Sequence, residues 1–190
     1  MPAVNLWEAK LSARLVLVCH AATPSMRTGG FASPDEPLDE AGVRAVARLQ
    51  PSKTTVLTSP ALAARQTAAA FGEGAIEDAL RDIDHGAWTG RTFAELDPAA
   101  LVAWLADPAA GAPGGEPLAA VVARLGVWLA ATAERTAPLI AVTHPMVIRA
   151  ALAAALELPP AATLRIDIAP LSQMQLSFNR VWRLQGLTRG

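Results

Sequence analysis

Three short apolar runs constrain this chain more than any other feature: Arg14–Val18 (RLVLV), Thr54–Thr58 (TTVLT) and Pro138–Val142 (PLIAV). None follows a strict apolar/polar alternation. A strand that is apolar at successive positions is buried on both faces, as in a parallel sheet covered by helices. The segments between the runs read as helices and polar loops. His20–Pro37 is rich in Thr, Pro, Gly, Ser and Asp and reads as loop. Asp39 or Glu40 opens a helix through Leu49, and Pro51 stops it. Ser59-Pro60 predicts an N-cap followed by proline at the first helical position, in a helix ending near Phe71 before Gly72 and Gly74. A weaker strand is expected over Ala75–Leu80, then a polar loop over Asp82–Gly90. Helices over Thr92–Ala106 and Pro117–Thr136 follow, separated by a breaker segment. After the third run, Thr143-His144-Pro145 leads into an Ala-rich helix ending at Leu156. Closing strands are expected near Leu164–Ile168, Ser172–Phe178 and Arg180–Leu184. The order β-α-β-α-β-(α-α)-β-α-β-β is that of an α/β layered sheet, mostly parallel, with room for antiparallel strands at one edge.

A chain of 190 residues is expected to form one domain, 1–190, and at this size roughly 70% of the unfolded surface is buried on folding. The formal net charge is −1, and no Lys/Arg block gives a nucleic-acid footprint. The richest apolar stretch, Ala150–Leu156, is far short of the ~20 residues a membrane span needs. The first fourteen residues lack a basic segment followed by an apolar run, so no secretory signal is expected. The single cysteine, Cys19, fits a reducing compartment, and cytoplasmic is the default expectation. The expected partner is a small molecule rather than nucleic acid or membrane, with homodimerisation left open.

The chain has three histidines, His20, His85 and His144. Two of them follow an apolar run by one or two residues, at its carboxyl end. Ligands of open α/β sheets bind outside the carboxyl ends of the strands. A histidine there is commonly just a satisfied or surface residue, but two at matched strand ends suggest a shared site. One neutral imidazole can attack phosphorus. A second can stabilise charge on the equatorial oxygens, while an acid protonates the leaving oxygen. Asp82 and Asp84, in the loop after the third expected strand, are candidates for that acid, or ordinary turn-forming acids beside Gly86.

Six blocks in order carry a resemblance. They are LVLVCHAAT (Leu15–Thr23), DEPLDEAG (Asp35–Gly42), TSPALAARQTA (Thr58–Ala68), LRDIDHGAWTG (Leu80–Gly90), PGGEP (Pro113–Pro117) and VTHPMVIRAAL (Val142–Leu152). Together they resemble the signature segments of the histidine phosphatases, the phosphoglycerate-mutase-like family. The resemblance implies a phosphoglycerate-mutase-like sheet with helices on both faces and a small helical insertion over the pocket. It implies His20 as phosphate acceptor, Asp82 as general acid and His144 as second pocket histidine. Thr23, Ser59 and the backbone after His144, at Pro145 and Met146, would line the pocket. The implied substrate is a small phosphorylated molecule, with neither metal nor cofactor. The short insertion resembles the small phosphatases more than the longer mutases.

The departures are specific. The arginine that precedes the family's nucleophile is Cys19, and the following Gly and Glu are Ala21 and Ala22. The second pocket arginine falls at Ala63; Arg65 lies roughly 200° further around the helix. Pro145 removes one backbone donor. Guanidinium groups hold phosphoryl oxygens by charge-assisted bidentate bonds, and losing one oxyanion donor typically costs ~10²–10³ in rate. Arg27, in the loop after His20, is the candidate replacement, against the plainer reading of a solvated loop arginine. Arg81 and Arg91 are expected to be exposed, and Arg149 to serve packing or a salt bridge. His85 takes the place of the family's aromatic and would fill it, or bind an anion at the mouth. Cys19 reads as a small buried hydrophobe; a Cys-x5-Arg loop is absent, and no local spacing supports a zinc site. The tryptophans Trp7, Trp88, Trp104, Trp128 and Trp182 read as packing residues, with a substrate-facing Trp104 as the alternative. Two readings stay open: a phosphomonoester hydrolase acting through phospho-His20, with weak activity, or a degenerate, inactive member that binds a ligand or protein partner.

Overall fold

The computed structural model describes residues 13–189; Trp7 and the first twelve of the fourteen N-terminal residues read for a signal lie outside them. The strands are β1 (Ala13–Cys19), β2 (Thr55–Thr58), β3 (Gly74–Ile76), β4 (Leu139–Thr143), β5 (Gln173–Asn179) and β6 (Val181–Thr188). They form one sheet in the order β3-β2-β4-β1-β5-β6. The β1–β4, β4–β2 and β2–β3 pairs are parallel, and β5 and β6 join antiparallel beside β1. The α-helices are α1 (Pro24–Thr28), α2 (Glu40–Val46), α3 (Leu62–Ala68), α4 (Pro98–Ala106), α5 (Leu118–Ala133), α6 (Pro145–Leu156) and α7 (Pro160–Thr163).

Successive side chains on a strand point to opposite faces, and β1 shows why its run is continuously apolar. Leu15, Leu17 and Cys19 face a core shared with Leu125 and Leu129 of α5 and Val147 and Ala151 of α6. Val16 and Val18 face the other way, with Val56, Val142 and Ala64 and Ala68 of α3. Helices therefore cover both faces, as the run pattern requires. Alanines 150, 151 and 153 of α6 are all buried, and their small side chains let α6 lie close under the sheet and against α5.

Five elements differ from the sequence expectation. The strand expected over Ala75–Leu80 is the short β3, and Asp78–Leu80 forms a 3-10 turn instead. Leu164–Ile168 is not a strand: α7 and turns occupy the region, because β1 already has β4 and β5 on its two sides. Ile168 is buried in the helix-side core as a loop residue instead. The 20–37 loop contains the short helix α1, started by Pro24. The helix expected over Thr92–Ala106 is broken into a 3-10 turn at Phe93–Glu95 and α4, because Pro98 disfavours helical geometry at Asp97. Asp97 then caps α4, accepting from the Ala100 amide at 2.8 Å. Ser59 is not a helix cap: α3 begins at Leu62, and the Ser59 hydroxyl is committed to a histidine described below.

Candidate active site

The register of the two central parallel strands sets the site. Cys19 of β1 pairs with Thr143 of β4, so the next residue of each strand, His20 and His144, emerges side by side at the sheet's carboxyl edge. This is also where the chain order switches direction, with β2 and β3 on one side of β1 and β5 and β6 on the other, the place where open α/β sheets form clefts. The His20 amide donates to the Thr143 carbonyl at 2.9 Å, which ties the two strand tips together. The imidazole centroids are 5.0 Å apart with the planes at 67°. Both histidines are 4% exposed.

Hydrogen bonds fix the protonation of each ring. His20 Nδ1 lies 2.8 Å from the Ala21 carbonyl. A carbonyl only accepts, so Nδ1 carries a hydrogen, and the neutral tautomer that fits this bond has its lone pair on Nε2. His144 Nε2 lies 2.8 Å from Ser59 Oγ, and that oxygen already accepts from the Ala61 amide at 3.2 Å. A hydrogen on Nδ1, facing the Asp82 carboxylate, with the Ser59 hydroxyl donating to Nε2, is the neutral tautomer in which both contacts are attractive. Nδ1 is 3.3 Å from Asp82 Oδ2 without forming a hydrogen bond, and is buried without a partner. Burial lowers the His144 pKa from 6.5 to about 4; the Asp82 charge opposes this, and His20 and His85 reinforce it. His144 is therefore a neutral donor near pH 7.

Asp82 reaches the histidines because its segment is pinned to β4: the Thr143 hydroxyl donates to the Leu80 carbonyl at 2.7 Å. Asp82 Oδ1 accepts from the Ile83 amide at 2.9 Å, which leaves Oδ2 facing His144. Thr67 of α3 plays a matching part beneath His20. Its hydroxyl accepts from the Ala21 amide at 3.0 Å and donates to the Ala63 carbonyl at 2.8 Å. Thr67, Thr143 and Gln66, whose Oε1 accepts from the Leu38 amide, were not among the sequence candidates. The available signal was a polar Gln-Thr pair inside an otherwise alanine-rich helix.

The remaining candidates divide. Ser59, His85 and His144 line a cleft of about 340 Å³ with Arg81 and Asp82. Thr23, Pro145 and Met146 line an adjoining recess that also touches His20 and Asp82. Thr23 Oγ1 is 3.2 Å from Ser25 Oγ. The His85 ring packs edge-on to Phe31 at 4.7 Å, in the aromatic's place, and burial lowers its pKa. Arg27 lies elsewhere: it is paired to Asp39 and lines a separate groove beside α2. That pairing is what draws it away, since Asp39 is held in place by capping α2 at Gly42. Arg81, expected to be exposed, is half-buried and lines the histidine cleft. Its guanidinium is held by Glu116, at 3.1 and 3.3 Å. Arg149 donates Nε–H to the Ile166 carbonyl at 2.9 Å, a structural use. Cys19 and Ala63, at the positions of the family's arginines, are both buried among apolar neighbours. Burial pushes the Cys19 thiol far above its ordinary pKa, so no thiolate is available.

The sequence matches the histidine phosphatase superfamily, branch 1, over residues 15–187. No curated protein sequence matches the chain. Among solved structures, a mycobacterial glucosyl-3-phosphoglycerate phosphatase in complex with VO3 is similar at 28% identity and TM-score 0.75, covering 90% of this chain and 96% of its own. A phosphoglycerate mutase from Thermus thermophilus is also 28% identical, with TM-score 0.70, covering 93% of this chain and 99% of its own. A phosphoserine phosphatase from Entamoeba histolytica, 18% identical over 94% of this chain and 98% of its own, has TM-score 0.81 and attests the shared fold.

Proposed function

The chain belongs to the histidine phosphatase superfamily, and from that premise we propose that it hydrolyses small phosphomonoesters through a phosphohistidine at His20. His20 Nε2 attacks phosphorus while the bond to the ester oxygen breaks. Asp82, in its acid form, gives its proton to the departing oxygen. Asp82 as carboxylate then takes a proton from a water that attacks the phosphohistidine, releasing phosphate and regenerating His20. The Nδ1–H of His144 donates to an equatorial oxygen throughout. The α6 amides beyond Pro145 add neutral donors, since the first amides of a helix have no partner within it, while Ser59 holds the His144 ring from its Nε2 side.

The observation that carries this reading is the buried, unpartnered Nδ1–H of His144 beside a His20 ring whose tautomer exposes a lone pair. Burying a donor without a partner costs about 1–3 kcal/mol, and an anion between the rings would supply the partner. Hydrolysis is favoured over mutase transfer because the cleft carries Asp35, Asp82 and Asp84 against one tethered arginine, a poor match for a substrate with a second acidic group.

The second reading, an inactive binder, is favoured by one fact: among the described residues, Arg81 is the only lysine or arginine lining the cleft or its recess. A steady-state assay with p-nitrophenyl phosphate separates the two. The expected result is turnover that His20→Ala lowers at least ~10³-fold, with acid-labile phosphate on the wild-type protein after rapid quench. Wild-type turnover no faster than His20→Ala would leave only the binder.

A further inference from the structure

The recess beside the histidines has a character that the phosphoryl chemistry does not require. It is about 200 Å³ in volume and shares His20 and Asp82 with the reacting gap. Its walls are aromatic and thioether groups: Phe31, Phe93, Trp104, Met26 and Met146. Phe31 sits at the centre, with ring centroids 5.5 Å from Phe93 and 5.2 Å from Trp104, and Trp88 at 5.1 Å behind it. Phe31 and Trp88 are buried, but Phe93 is 39% and Met26 36% exposed. These apolar surfaces thus line an open recess rather than a closed core. An antiparallel bridge between Gly30 and Thr92 holds the two rims, the loop after β1 and the segment before α4, together.

Charge points the same way. Among the described residues no lysine or arginine lines the recess, and Asp82 is its one carboxyl group. A second anionic group on a substrate would meet an aromatic wall with no cation to pair it, and an unpaired charge is expensive to desolvate. An aryl or aralkyl group would instead cover apolar surface and stack on the exposed ring faces.

We infer that this site takes monoesters whose phosphate is the only anionic group and whose alcohol is apolar and preferably aromatic, seated against Phe93 and Trp104. The inference rests on the phosphatase reading for its chemistry, but binding tests it independently of turnover. Two phosphonates that cannot be hydrolysed, 2-phenylethylphosphonate and 2-carboxyethylphosphonate, are titrated against tryptophan fluorescence and by calorimetry. Binding of the phenylethyl compound at least tenfold tighter is expected. Trp104→Ala should erase most of that difference. Because Trp104 also packs against Phe31, the more exposed Met26→Lys provides a second variant: a new cation at the rim should shift preference toward the carboxyethyl compound. Equal or reversed preference in the wild type, or a Met26→Lys protein with unchanged preference, overturns the inference. Selective binding without turnover of 2-phenylethyl phosphate would instead leave the inference standing and remove the hydrolase.

Discussion

His144 is the residue whose environment is most specific, and its neutrality has a thermodynamic consequence. Its folded pKa is depressed from 6.5 to about 4, so between those values the unfolded chain binds a proton that the folded chain does not. Stability attributable to this group is fully present above pH 6.5 and is lost as pH falls toward 4. The loss is on the order of 3 kcal/mol at most. Denaturant unfolding at pH 7 and pH 4.5 should show a smaller acid loss in His144→Gln, which has no imidazole to protonate when unfolded. Parallel losses in the two proteins would count against a buried neutral imidazole. The meeting of His20 and His144 was legible at this scale because its signal is local, a histidine just past an apolar run; the polar loop alone offered Asp82 and Asp84 alike, and only the family resemblance singled out Asp82. Arg27 and Arg81 were not legible, because a flexible arginine goes to whichever carboxylate the fold brings near. Asp39 and Glu116 are 12 and 35 residues from their partners, a separation no local pattern encodes.

At the scale of elements, the continuous apolar runs identified β1, β2 and β4, and the Ala-rich stretch identified α6 with its end at Leu156. What failed was assignment where a short segment's role depends on what is already paired or bonded. Leu164–Ile168 has strand-like residues but finds β1 occupied on both sides. Ser59 has a cap's chemistry but its hydroxyl answers to His144. Gly86 of the acid loop and Gly115 of the PGGE turn are explained by contact between the two segments. Gly86 has φ +52°, and a Cβ there would lie 2.5 Å from the Pro113 carbonyl oxygen. The Glu116 amide donates to the Asp84 carbonyl at 2.8 Å and locks the turn to the loop. Gly86→Ala must therefore push the turn away from the loop that carries Asp82. A cost of about 1–3 kcal/mol is expected from overpacking, with a further ~1–2 kcal/mol from the left-handed backbone. Urea unfolding measures it, and an unchanged midpoint would show that the two backbones do not touch.

Across the whole molecule, one sheet with a core on each face argues that the described chain unfolds as one unit. The insertion carrying α4 is the part most able to act separately, since its aromatic cluster is distinct from the sheet cores. Its anchor is Glu116, which accepts from Arg81 and, at 3.2 Å, from Arg124 of α5. Arg124 also donates to the carbonyls of Ala79 at 2.7 Å and Arg81 at 3.0 Å. This cluster joins the acid loop, the turn and the longest helix. Glu116→Gln removes the charge that two half-buried guanidinium groups share, at an expected cost of about 1–3 kcal/mol. For a chain this long each kcal/mol lowers Tm by roughly 2–4 °C. Scanning calorimetry should show one transition in the wild type and one, shifted down, in Glu116→Gln. If the variant splits into two transitions, the insertion has its own stability, and Glu116 is what couples it to the sheet. If Tm does not move, the cluster is solvated in solution and the acid loop must be held by the Thr143–Leu80 bond and the turn alone.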